Sequence, residues 1–296
     1  MHRTGLAFDW ARYLKPMFLA ASVLAASMLP APGPAAAQAA DGAKKPHVVF
    51  VTGDDEYRSE ITMPMIAKIL EAKHNMRTSV AFARPTPQTK DNIEGLEALK
   101  DADLAVMFVR FRKLPDDQLK LILDYADSGK PLVGLRTSTH AFLYSAGDKH
   151  VALNDTFGRD VWGQKWLFHN GHRSSTDVQI IEAAKDNPVL RGVEPAFHCR
   201  SWLYHVLPLE GDCTPLLMGK AVDSEQKESV ANPVAWTKSH KGGRVFFTTL
   251  GHPDDFKLLG MRRLLINGIL WSLGQEIPAA GANAEIQGDY VAPPTT

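Results

Sequence analysis

The chain has 296 residues, and its 33 Lys and Arg balance its 33 Asp and Glu, so no long-range field draws it to nucleic acid or to an anionic membrane surface. Hydrophobic residues make up 45% and charged residues 22%, the apolar content that a packed domain needs, which excludes disorder as the general state of the chain. The expected partner is a small, uncharged molecule.

At the start, Arg3, Arg12 and Lys15 precede an apolar run from Met17 to Leu29, and Pro30, Pro32, Pro34 and several alanines follow. This is the pattern of a secretory signal peptide. The run is shorter than the ~20 residues a membrane-spanning helix needs, which argues against an anchor. Cleavage fits after Ala37 or after Ala39. We therefore divide the chain into a signal peptide (1–39), one α/β domain (40–275) and a tail (276–296). The tail is rich in Ala, Gly and Pro and is expected to be mobile. Export implies a periplasmic or secreted protein, free of the membrane after cleavage. It would also expose Cys199 and Cys213 to an oxidising compartment, where a disulfide across a hairpin and two buried free thiols are both open.

From Pro46 onward, short β-branched runs alternate with longer amphipathic segments, the order that builds a parallel sheet flanked by helices. His47 to Thr52 is the first strand, and Thr62 to Lys73 is a crossover helix with Met65, Ile66, Ile69 and Leu70 in one stripe. A second strand spans Arg77 to Ala83, and a weak helix is expected around Asn92 to Lys100. Leu104 to Val109 lacks polar alternation and should be a central strand. Pro115 opens a helix that Gly129 stops, and Pro131 to Leu135 is the fourth strand. Further strands are expected at Asp177 to Ile181, Trp202 to Leu207, Thr214 to Met218, Pro233 to Thr237 and Arg244 to Thr249. A last helix covers Phe256 to Leu273. No internal repeat is present.

Three of these strands end in polar clusters: Asp54-Asp55-Glu56-Tyr57-Arg58, Arg110-Phe111-Arg112 and Arg136-Thr137-Ser138-Thr139-His140. Ligands bind at the carboxyl edge of open α/β sheets, so convergence of the three clusters in one crevice is the main functional signal of the sequence. Gly134 to Ser138 occupies the strand-to-helix turn where a nucleophile elbow would sit, but the nucleophile position holds Arg136. Ser138 does not meet the G-x-S-x-G spacing, which argues against a serine hydrolase. The two cysteines have no elbow around them.

Several segments then carry a resemblance: GLRTSTHAF (Gly134 to Phe142), FHNGH (Phe168 to His172), SWLYHVLPL (Ser201 to Leu209), NPVAWTKSHKGGRVFFTTLGH (Asn232 to His252) and LLINGILWSLG (Leu264 to Gly274). In that order they are similar to the blocks of trehalose-utilisation (ThuA-like) proteins, over roughly residues 46 to 274. The resemblance implies an α/β, flavodoxin-like fold of the class I glutamine amidotransferase type. Its mostly parallel sheet would be flanked by helices, with extra strands in the second half. It also implies no amidotransferase activity and a link to sugar metabolism, on oxidised (keto) sugars or glycosides. Where many members carry an acid shortly before the tyrosine, this chain has Trp202 and then Tyr204, and Asn232-Pro233 stands where many have His-Pro. Asp55 or Glu56 would have to supply the acid.

The expected catalytic groups are His140, His172 and His252, each at a strand end or loop, with Glu56. Expected substrate contacts are Asp55, Arg58, Arg110, Arg136, Thr137, Trp202 and Tyr204. Arginine offers forked donors for vicinal hydroxyls, and Trp202 beside Tyr204 offers an apolar wall for a sugar ring. Trp236 and Trp271 read as core. His169 and His172 are too close for an ordinary helical pair and read as a turn. The cofactor is unknown: three imidazoles with an open position would suit a divalent metal on His140, His172 and His252, although no H-x-x-x-H or H-E-x-x-H spacing supports one. The leading expectation is acid–base chemistry on a carbohydrate or keto-sugar. The alternatives are a non-catalytic sugar-binding module and a metal-dependent hydrolase, and the oligomeric state stays open.

Overall fold

The computed structural model describes residues 44–295; the expected signal peptide lies outside the described residues. A ten-stranded sheet runs through the domain in the order β3-β2-β1-β4-β5-β12-β11-β10-β7-β8. Its centre is parallel: β1 (His47–Gly53) lies between β2 (Arg77–Ala83) and β4 (Leu104–Val109), and β5 (Leu132–Leu135) joins β4 to β12 (Gly243–Thr248). The strands beyond β12 are antiparallel: β11 (Asn232–His240), β10 (Thr214–Val222), β7 (Ser175–Ile180) and β8 (Ala196–Cys199). The α/β class, the parallel centre and the extra strands of the second half are as expected.

Alternate residues of the buried strands pack on opposite faces. Val48 and Phe50 join one core with Met63, Ile66 and Ile69 of α1 (Ser59–Lys73) and with Leu264, Leu265 and Ile269 of α4 (Leu259–Ser272). Val49 and Val51 join the other with Leu119 and Ile122 of α2 (Asp116–Asp127) and with Phe157 of the short α3 (Leu153–Phe157). The period of two along each strand thus sends one set of apolar side chains to each helical layer. At α2, Pro115 caps an acidic first turn (Asp116, Asp117), and Gly129 follows the last turn at φ 72°. A Cβ at Gly129 would come within 2.6 Å of the Lys241 carbonyl oxygen, so the glycine is required both for its left-handed backbone and for space.

Three local expectations differ. Asn92 to Lys100 is not one helix: Gly95, at φ 93°, separates the two-residue β3 (Ile93–Glu94), paired with β2, from a 3-10 turn over Leu96–Asp101. The run Trp202 to Leu207 gives only β9 (Tyr204–His205), which leaves the main sheet and pairs with β6 (Phe168–His169). The last helix is split, because Leu258 is extended between a 3-10 turn, Pro253–Lys257, and α4.

The tail expected to be mobile has no regular secondary structure, yet its first part is docked. Ile277, Ala282 and Ala284 are buried. Arg262 donates to Ala284 O and Arg263 to Ala282 O, while the Asn267 carboxamide accepts from the Ala282 N–H. These guanidinium and amide groups of α4 need acceptors and donors that the tail backbone supplies. Both cysteines are free thiols; Cys199 lies on β8, whereas Cys213 contacts the Glu210 carbonyl ahead of β10. Trp236 is fully buried as expected, and Trp271 is half-buried under the Arg244 guanidinium.

Candidate active site

Because β1, β4, β5 and β12 are parallel, the segments after them emerge at one edge of the sheet. Residues 54–58 follow β1, 110–112 follow β4, 136–140 follow β5 and 249–252 follow β12. A small cavity of about 100 Å³ opens there. Glu56 and Tyr57 come from the first segment, Arg110 and Phe111 from the second and His140 from the third. The loops of the second half close it with Trp166, His169, His172, Trp202 and Tyr204. Of the expected site residues, the structure therefore brings Glu56, Arg110, His140, His172, Trp202 and Tyr204 to one cavity.

The charged groups of the wall are held together. Arg110 Nε lies 3.0 Å from Glu56 Oε2, and its guanidinium sits 4.6 Å over the Phe111 ring. His140 is buried among Phe111, Trp166 and Tyr204, at ring-centre distances of 4.9, 5.0 and 6.0 Å. Burial, then the charges of Arg110 and Arg136, push its pKa well below the ordinary histidine value, so the ring is neutral at physiological pH. His172 packs edge-on against His169 and Trp202, with ring centres 4.6 and 4.4 Å away. The indole N–H groups of Trp166 and Trp202 are buried without a partner among the described residues.

Five expected site residues sit elsewhere. Arg136 is fully buried beneath the cavity: it donates to Tyr57 Oη (2.8 Å), Thr249 O (2.8 Å) and Trp202 O (3.2 Å), with its guanidinium 4.2 Å from the Tyr57 ring and 4.3 Å from the Tyr204 ring. Its two terminal nitrogens serve the protein rather than a ligand, and its buried Nε has no partner among the described residues. Thr137 is fully buried and donates to Asp54 Oδ2, while the Tyr57 N–H donates to Asp54 Oδ1. Burial raises the Asp54 carboxyl to about 6 against these bonds. Asp55 pairs with Lys90 and, at 3.2 Å, with Arg112. Arg58 turns back to Glu60 at 2.6 Å from a left-handed backbone, φ 55°.

His252 is the fifth. It caps the 3-10 turn Pro253–Lys257, accepting from the Asp254 N–H at Nδ1, and meets Tyr57 edge-on at 6.1 Å without lining the cavity. Burial lowers its pKa to about 4. The three histidines expected as one catalytic or metal-binding set are therefore not brought together. Among the described residues no group of three or more His, Cys, Asp or Glu side chains is arranged to hold a metal ion.

Three residues outside the expected set also shape the site. His169 reaches it because β6 pairs with β9 in the register His169 to Tyr204, a pairing of two residues that no period in the sequence announces. Tyr57 stands between the cavity and Arg136. Asp255 is buried, and its carboxylate accepts from the N–H groups of Arg200, Ser201, Gly251 and His252 and from Ser201 Oγ. It ties the segment that carries Trp202 to the end of β12.

The sequence model described as "ThuA: Trehalose utilisation" matches residues 47–272. No curated protein matches the sequence. Among solved structures, a putative ThuA-like protein from Parabacteroides merdae is similar at 13% identity, covering 82% of this chain and 98% of that one, with a TM-score of 0.56. A putative ThuA-like protein from Bacteroides uniformis is similar at 17% identity over 79% and 95% of the two chains, with a TM-score of 0.55. At these identities the likeness is one of fold, whereas the sequence match spans most of the chain: this protein belongs to the ThuA, trehalose-utilisation family.

Proposed function

We propose that the protein is an exported enzyme acting on a carbohydrate or keto-sugar by acid–base chemistry, with His140 as the base and the Glu56–Arg110 pair and His172 as polar partners in the same wall. The family links the chain to carbohydrate metabolism. One observation carries the reading further: His140, neutral because it is buried, lines a cavity at the carboxyl edge of the sheet. A neutral imidazole can take a proton from a substrate hydroxyl at physiological pH. Trp166, Trp202 and Tyr204 give the cavity an aromatic wall suited to the C–H face of a sugar, and two unpartnered indole N–H groups can donate to its hydroxyl oxygens.

The test is incubation of the purified protein with trehalose, other disaccharides and their keto derivatives, following products by chromatography. Product formation that His140→Gln abolishes supports the reading. Binding heat without any product would make the protein a sugar-binding module instead. Export is tested separately, by sequencing the N-terminus of the protein recovered outside the cytoplasm: a start at Gln38 or Ala40 is expected, and an intact Met1 would refute it.

A further inference from the structure

The hydrogen bonds at two cavity histidines set opposite tautomers. Thr139 Oγ1 donates its one proton to Arg136 O at 3.0 Å, so its 3.2 Å contact with His140 Nδ1 uses a proton on that nitrogen. His140 Nε2 is left with its lone pair. At His169 the Gly171 N–H donates to Nδ1 at 3.0 Å, so the lone pair is there and the proton sits on Nε2. Burial, and then cationic or imidazole neighbours, lower the pKa of both rings. Both line the same cavity and flank Trp166, with ring centres 5.0 and 6.2 Å from it.

From this pair we infer that the cavity selects two adjacent, uncharged oxygens of different kind: a hydroxyl donating to His140 Nε2 beside a carbonyl oxygen accepting from His169 Nε2–H, with Thr139 as the residue that positions the His140 proton. An α-hydroxy-ketone presents that arrangement. An ionised carboxylate offers only acceptors and would set a second lone pair against His140. The inference rests on the acid–base reading above for its chemistry: the hydroxyl proton moves to His140 Nε2, the O–H bonding pair and its charge stay on the hydroxyl oxygen, and the His169 N–H holds the neighbouring carbonyl oxygen in place. Within the wall the Arg110 charge is met by Glu56.

The test is nitrogen NMR of the full chain labelled in its histidine rings, with His140→Asn and His169→Asn used for assignment and dihydroxyacetone as the probe. At neutral pH the His140 Nε2 signal should be of the unprotonated type and the His169 Nε2 signal of the protonated type. Thr139→Val should remove the His140 preference and Thr139→Ser should keep it. Dihydroxyacetone should move both Nε2 signals, and acetate should move neither. Like tautomers in the two rings, a Thr139→Val spectrum unchanged at His140, or no response to dihydroxyacetone would overturn the inference. A response to acetate would overturn its preference for uncharged oxygens. If the spectra agree while His140→Gln keeps full turnover, the acid–base reading fails and the recognition stands; like tautomers with turnover abolished fail the recognition alone.

Discussion

The Arg136 guanidinium lies 4.2 Å from the centre of the Tyr57 ring and donates to the same residue's hydroxyl at 2.8 Å. One side chain thus holds Tyr57 by its face and by its polar end. Burial raises the tyrosine pKa to about 12, although the arginine charge and hydrogen bond oppose that shift.

Arg136→Ala is therefore expected to destabilise the fold by roughly 3–5 kcal/mol, since it strands Tyr57 Oη and the Thr249 and Trp202 carbonyls in a buried cavity. Urea unfolding followed by tryptophan fluorescence would measure it. A variant as stable as the parent, with weakened sugar binding, would return Arg136 to the role of a ligand contact.

Asp255→Ala should cost about 2–4 kcal/mol, because five hydrogen bonds from backbone and Ser201 lose their shared acceptor. Since those bonds carry the Trp202 segment, near-ultraviolet circular dichroism should change even under conditions where the variant stays folded. An unaltered tryptophan signal would show that Asp255 does not set the cavity wall.

Acid should weaken the protein. His252 titrates at about 4 when folded, against 6.5 ordinarily, so between those values the unfolded chain binds a proton that the folded one does not. Stability is then lost as pH falls from about 6.5 towards 4, and His140, also lowered, acts in the same sense. Asp54 opposes them: its carboxyl is raised to about 6 from 3.8, so the folded state gains a proton and some stability as pH falls through that range. Burial also lowers His47, His169, His205 and His240, so with six histidines against one carboxyl the net slope should be downward, and His252→Gln should flatten it. Denaturant midpoints rising on acidification would refute this balance.

Removing residues 276–296 should lower stability by about 2–4 kcal/mol, through lost burial of Ile277, Ala282 and Ala284 and through unpartnered groups on Arg262 and Asn267. Calorimetry of the shortened chain would check it; an unchanged melting temperature would mean that the docked tail contributes nothing.

The parallel half of the sheet could be read in the sequence because its central strands are apolar runs and its helices periodic: the expected bounds of Arg77–Ala83 and Leu104–Val109 match the structure residue for residue. The cavity was legible only in part. Glu56, Arg110 and His140 follow strand ends, where topology alone gathers them. Arg136, Thr137 and His252 follow strand ends too, but their side chains turn inward to satisfy buried carbonyl, carboxylate and backbone groups, a choice decided by partners distant in sequence. His169 and Trp166 arrive on a ribbon whose pairing depends on the Tyr204 segment, and no local pattern specifies it.

Arg136 also has a left-handed backbone, φ 43°, directly after β5, the sharp corner at which related architectures expose a reactive atom. Here the corner is plugged by a post wedged between two tyrosines. Putting a thiol or hydroxyl at this position would delete the support while aiming the new group into packed aromatic rings. Redesign of this scaffold for covalent chemistry would have to begin at the rim.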